Sequence, residues 1–289
     1  MSATSEPRTT RYQGARAALA TKHGKESVIK PVMLDALGLS VEVCDIETDS
    51  FGTFSGETPR LGTPYETAVA KARAGMSAAN LNLGIASEGS IGQDPVLPLG
   101  TSDLETMVFV DDELGIVVSE SVRSLEIVAI SKVINTKYVS LDGGLDEFLA
   151  AADFPRHGLI VKSIDSGEVV KGITDRGVLT AAIAACANAE GNAIVESDFR
   201  AHFSPSRMRV IAECAQALAN RLARACRACG APGWGKCAPL LGLPCAGCGR
   251  EVSMAIRAER EGCVKCEEVQ VFEREEKVAD PKWCEFCNP

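Results

Sequence analysis

Aromatic residues are scarce, 5% of 289, so the core must be built mainly from aliphatic side chains. Long apolar runs are missing too. The longest, 178–187, is broken by Thr180 and falls well short of the ~20 residues that a membrane-spanning helix needs. The first 14 residues lack the apolar stretch of a secretory signal, which points to a cytoplasmic protein with no membrane partner. A basic excess is absent as well: 30 Lys+Arg against 39 Asp+Glu leave a net charge of -9. Such a chain is a poor polyanion binder overall, so nucleic acid is not the expected partner. An anionic ligand would have to be reached through local cations or a metal. A homo-oligomer is left open.

What is present is a globular composition, 46% hydrophobic, and twelve unevenly placed cysteines. Cys44, Cys186 and Cys214 are scattered, and the rest lie between Cys226 and Cys287. Four Cys-x-x-Cys pairs stand out: Cys226/Cys229, Cys245/Cys248, Cys263/Cys266 and Cys284/Cys287. The intervals 230–244 and 267–283 fit the spacing of four-cysteine zinc sites. Gly230 and Gly249 supply the turn that a metal knuckle needs. Without a secretory signal, two structural Zn²⁺ ions held by thiolates are expected rather than disulfides. The spacing favours sequential pairing and leaves an interleaved arrangement open, with Cys237 left over. Trp234 and Trp283, the chain's two tryptophans, both fall here. They are expected to cover the zinc sites or to form a docking face for the large domain or a partner. Acidic and basic residues balance in this tail, which again argues against nucleic acid. The composition break near Arg224 divides the chain into a disordered tail (1–13), an α/β domain (14–223) and a zinc-binding domain (224–289).

Within the α/β domain, 15–21 reads as a first strand, followed by Thr21-Lys22-His23-Gly24-Lys25 and a helix to Leu37 stopped by Gly38. This strand–loop–helix presents backbone N–H groups and cations, either to an anion or simply to solvent. A second strand spans 40–46. The Thr48–Glu57 stretch is a long Gly/Ser/Thr loop carrying Phe51 and Phe54. Thr63, Pro64 and Glu66 form a capping box for the next helix, which carries Lys71 and Arg73. Leu83–Ala86 is expected to end a short buried strand, and Ser87-Glu88-Gly89-Ser90 to turn after it, placing an acid where open α/β sheets hold their chemistry. Further strands are expected at 107–110, 114–119, 126–130, 157–164, 169–173 and 193–196. The acids Asp111, Asp112 and Glu113 are expected to be solvated in a turn. Asp175 caps a helix to about 189, and Ser204-Pro205 opens one from 205 to 223. Arg207 in its first turn opposes the helix dipole unless an anion is near. Asp198, Arg200, His202 and Arg207 therefore form a second candidate site, with an internal salt-bridge cluster as the plainer explanation.

Three pieces carry a resemblance. Thr21-Lys22-His23-Gly24-Lys25 resembles the opening loop of the inosine triphosphatase-like superfamily, which includes the Maf and non-canonical purine phosphatase branches, with His23 where the family has Asn. Glu66-Thr67-Ala68-Val69-Ala70-Lys71-Ala72 resembles the family's Glu-Asn-Ala-x-x-Lys-Ala helix, and Gly84 to Ser90 its metal-binding strand end. The whole chain also resembles an uncharacterised bacterial family, known only as a domain of unknown function, with the same cysteine-rich tail. The resemblance implies a three-layer, mixed-sheet α/β domain followed by a small zinc ribbon. It implies Glu66 and Glu88 as Mg²⁺ ligands and Lys25 on phosphate, beside Lys22 and His23. Arg200, His202 and Arg207 would stand in for the family's closing motif. The resulting expectation is a Mg²⁺-dependent hydrolase of a nucleotide or related small phosphorylated ligand. Its alternative is a non-catalytic zinc protein that binds such a ligand, a protein or nucleic acid.

Overall fold

β1 (Arg16–Ala20) is buried from Ala17 onward, as a strand with neighbours on both edges and both faces must be. The computed structural model that contains it describes residues 10–47, 51, 62–97, 99–139 and 144–289. The Thr48–Glu57 loop, with Phe54, lies outside these residues except for Phe51. β1 pairs in parallel with β2 (Ser40–Cys44) on one side and β3 (Leu83–Gln93) on the other. Parallel neighbours need crossovers, and two helices supply them. α1 (Glu26–Leu37) ends on Gly38 at φ 67°, and α2 (Pro64–Ala79) starts on the expected Thr63–Glu66 capping box. β3, β4 (Thr101–Asp111) and β5 (Ile116–Ser124) then form an antiparallel meander, giving a mixed sheet ordered β2-β1-β3-β4-β5.

Alternation along the strands divides the core into two layers. Leu19, Ile85, Met107 and Phe109 face α1 and the long helix α5 (Pro205–Leu222). Ala18, Ala20, Ala86 and Val108 face Ala68, Ala72 and Met76 of α2. Because α1 and α2 lie on opposite faces, the strand order reverses at β1/β3, the switch point beyond whose carboxyl ends α/β sheets of this kind form their ligand crevice. A second sheet, β6-β9-β7-β8, is antiparallel: β6 (Ser131–Asn135), β7 (Leu159–Ser163), β8 (Val169–Ile173) and β9 (Asn192–Ser197). It packs with α3 (Asp146–Ala151) and α4 (Arg176–Cys186) around its own core of Phe148, Leu159, Leu179, Ile183 and Val195. The third sheet, β10 (Gly235–Pro244), β11 (Glu251–Gly262) and β12 (Val269–Glu273), carries the cysteine-rich end.

Several expectations are corrected. Ser87–Ser90 is not a turn: β3 runs on to Gln93, because β4 pairs with it along its whole length. The stretch 126–130 is not a strand, and β6 begins at Ser131. Asp111 is buried, since it accepts hydrogen bonds from the Tyr12 hydroxyl (3.2 Å) and the Leu114 N–H (2.9 Å). Tyr12 itself is in the core, edge-on to Phe109 at 4.8 Å, so the end of the expected disordered tail is packed. α4 stops at Cys186, short of 189. Removing the Thr63 hydroxyl leaves an N–H of α2 without its cap. Thr63→Ala is therefore expected to cost about 1 kcal/mol, read as a lower urea midpoint with an unchanged m-value.

Candidate functional site

β3 outruns β1. Their pairing ends at Ala20↔Ala86, so Ser87 and everything after it extends past the end of β1. The chain leaving β1 turns sharply there, with His23 and Gly24 both at positive φ, 70° and 77°. Such backbone is strained for His, and strain of this kind concentrates at functional sites. The turn carries Lys25 back over β3, where its Nζ bonds the Ser87 Oγ (3.0 Å) and carbonyl (3.3 Å). Burial first, then the Arg207 charge, pulls the Lys25 ammonium down to about 8, against the attraction of Glu105 and Glu88.

Glu88 points to the other face of the sheet, where the Lys71 ammonium of α2 meets its carboxylate at 2.5 Å. Both are buried. On the α5 face, the Arg207 guanidinium donates to Glu105 at 2.6 Å, with residue exposures of 2% and 0%. This is the anion that a cation in the first turn of α5 requires. The pair crosses β3 at Gly89, where a Cβ would sit 2.3 Å from the Glu105 Oε1 and 2.4 Å from the Arg207 Nη2. Arg207 also donates to the Phe199 carbonyl at 2.7 Å. Beside them is Asp103, fully buried.

The two stretches singled out separately in the sequence come together here. The His23 and His202 rings stack at 5.1 Å, and the Gly24 position lies against the His202 Cβ. Arg200 is held by Asp198 (2.6 Å) and lies 4.7 Å over the Phe203 ring. Lys22 pairs with Glu47 at 2.6 Å. Glu196, at the end of β9, pairs with Lys162 and not with Arg200 or Arg207. Glu66 is exposed, and its Oε2 accepts from the Thr63 N–H (2.8 Å) and hydroxyl (2.9 Å). It is held by the cap.

Ser204 is not a side-chain cap for α5. His157 takes that place: its Nε2 accepts from the Ser206 N–H at 3.1 Å and lies 3.0 Å from the Ser206 Oγ. Its Nδ1 is oriented by Asp153 at 2.9 Å. Burial pushes the His157 pKa down, in keeping with a neutral ring that accepts at Nε2. The second sheet thus anchors the helix that delivers Arg207. Sequence reasoning missed Asp103, Glu105 and His157. The available signal for the first two was a pair of acids two residues apart on the strand face that continues as Met107 and Phe109.

The eight tail cysteines gather into two clusters that could each hold a metal ion: Cys226, Cys229, Cys263 and Cys266, and Cys245, Cys248, Cys284 and Cys287. The pairing is interleaved, correcting the sequential reading, because the β10–β11 hairpin returns Cys263/Cys266 to Cys226/Cys229 at its open end, while the Cys245–Ala279 bridge lays the chain after β12, with Cys284/Cys287, against Cys245/Cys248 at its turn. Sulphur separations of 3.6 to 3.8 Å match the roughly 3.8 Å set by tetrahedral Zn–S bonds of about 2.3 Å. Gly230 and Gly249, each at φ 72°, return their N–H to the Cys226 and Cys245 carbonyls at 2.9 Å. Hydrogen bonds from the Phe286 and Cys287 N–H groups pull the Cys284 thiol down, while the neighbouring thiols push Cys287 up, the crowding of sulphurs that a bound cation would relieve. Trp234 is buried and donates to Glu261 at 3.0 Å, whereas Trp283 is 69% exposed. Cys237 belongs to neither cluster.

A family model described as "Domain of unknown function (DUF6671)" matches residues 71–289. No curated protein and no solved structure matches the chain.

Interleaving has a direct readout in zinc content. Cys229→Ser and Cys266→Ser are each expected to remove one of two bound zinc ions per chain, and the double variant still only one. A double variant with no zinc by elemental analysis would restore sequential pairing.

Proposed function

The chain belongs to the DUF6671 family, whose domain is of unknown function, and from its geometry we propose a Mg²⁺-dependent hydrolase of a nucleotide or related phosphate, with two structural Zn²⁺ ions in its tail. One observation carries this reading. Lys22–Lys25 and Arg200–Arg207, far apart in sequence, meet through the His23–His202 stack at the carboxyl end of β1, in a chain whose net charge is -9. That is the local concentration of cations and backbone N–H groups that an anionic ligand requires.

The residues around the crevice decide how a metal would be held. Glu66 does not fit the role implied by its sequence context, since its carboxylate caps α2. Glu88 fits as a single carboxylate ligand, and Mg²⁺ commonly takes one or two carboxylates and fills its octahedron with phosphate oxygens and water. When bound, the ion would polarise the phosphoryl group and lower the pKa of a bound water. The chain's own contribution is positioning. Lys25 and the two histidines would orient the phosphate, Arg207 would add positive charge from beneath, and Lys71 would fix the position of Glu88. A second reading, binding without turnover, is favoured by the Lys71–Glu88 pair, which already satisfies the acid that a metal would need.

Both readings are tested by phosphate or pyrophosphate release from a panel of standard and deaminated nucleoside triphosphates with Mg²⁺. Turnover of one substrate class, falling about a hundredfold or more in Glu88→Gln, is the expected result. Tight nucleotide binding without release in the zinc-loaded protein would establish the second reading.

A further inference from the structure

The buried cluster holds an unresolved surplus of acceptors. Both oxygens of Asp103 and the Oε2 of Glu105 are buried with no hydrogen-bond partner among the described residues. Such groups are rare in folded proteins and call for an explanation. The two acids lie two residues apart on one face of β4, and both residues are 0% exposed. A divalent cation would satisfy them, but Mg²⁺ keeps several of its waters, and Arg207 and Lys25 already supply positive charge. A proton meets the same need without hydration or an entry path.

We propose that the anion site is proton-coupled: Asp103 carries a proton shared with Glu105 when a phosphate-like dianion is bound beside Lys25, and losing that proton weakens the anion. The proposal rests on the preceding reading that this crevice takes such an anion. With Asp103 neutral, the three cations Lys25, Lys71 and Arg207 outnumber the two remaining acids, Glu88 and Glu105. With Asp103 ionised, the charges balance and the attraction falls. Burial first, then the Glu105 charge, pushes the Asp103 carboxyl up to about 7, while Arg207 and Lys25 pull it down. The groups facing the pair are Arg207 and the Cys214 thiol from α5, and Lys25 from the turn after β1. Glu88 and Lys71 face it from beyond the sheet, and His23 and His202 stand at the mouth. Burial holds Cys214 up at about 12, so it remains a neutral thiol.

The test uses the full-length, zinc-loaded protein and sulfate, whose charge is constant across the range. Between about pH 6 and pH 8, wild type should lose about tenfold more sulfate affinity than Asp103→Asn, whose side chain stays neutral. Melting without ligand gives a second readout. A carboxyl raised from 3.8 to about 7 contributes stability that is lost as pH rises through the upper value. The melting temperature of Asp103→Asn should therefore gain on wild type as pH climbs from about 4 to 8. Equal affinity losses in the two proteins, or a flat melting difference, would overturn the proposal. If neither protein binds sulfate at any pH while the melting difference grows, the anion reading itself has failed and the coupling with it. Should Asp103→Asn not fold, wild type gives the readout by itself: the infrared C=O band of a protonated buried carboxyl should fade between about pH 6 and 8 and persist to higher pH with sulfate. A band that sulfate does not move would overturn the coupling.

Discussion

A guanidinium and a carboxylate, both removed from water, are joined through the gap left by a glycine. The Arg207–Glu105 pair is the constraint on which the candidate site depends. Burying either ion alone would cost several kcal/mol, so the pair must form whenever the domain folds. Its formation fixes β4 and the first turn of α5 relative to each other. Gly89 is the only residue type that leaves room for it where it crosses β3. The 198–206 segment then has nowhere else to go. It is tied at one end by Asp198, whose carboxylate accepts from the Gly172 N–H, and at the other by the His157–Ser206 bonds. His202 is thereby brought against His23. The second sheet's contribution is to hold in place the loop that carries His202.

The zinc-ribbon-like end continues from the same helix. Arg221, near the end of α5, donates to the Gly233 carbonyl (3.1 Å) and to Glu120 of β5 (2.9 Å), and Val264 packs on the core that α5 shares with α1. Arg224, Glu261 and Trp234 close the junction. The first cysteine cluster is therefore built against the α/β sheet. The second stands farther along the β10–β11 hairpin, with Trp283 and Phe286 exposed beside it. Of the two roles foreseen for the tryptophans, Trp234 faces inward at the junction and Trp283 faces solvent.

How far the sequence could be read followed the range of the interactions. Gly38, the Thr63–Glu66 box and Asp175 are local signals, and each sets a helix end where expected. The Cys-x-x-Cys spacing likewise reports a knuckle formed within five residues. The pairing of knuckles does not, because it depends on a hairpin that brings residue 226 to residue 266. Glu88 looked like a turn residue because Gly89 and Ser90 follow it, yet the glycine serves a side-chain crossing rather than a turn. Ser204 looked like a cap because Pro205 follows it, but a histidine from another sheet takes the N–H instead. Asp103 and Glu105 carried no local signal beyond their spacing. Their meaning comes from Arg207, about a hundred residues away.

The central claim is that the turn after β1 and the segment before α5 form one anion site. Amide hydrogen exchange of the intact, zinc-loaded protein tests it most directly, with and without sulfate. The account predicts that residues 21–25 and 199–207 slow together and to a similar degree on adding the anion. Slowing confined to one of the two segments, or absent from both at saturating sulfate, would contradict it.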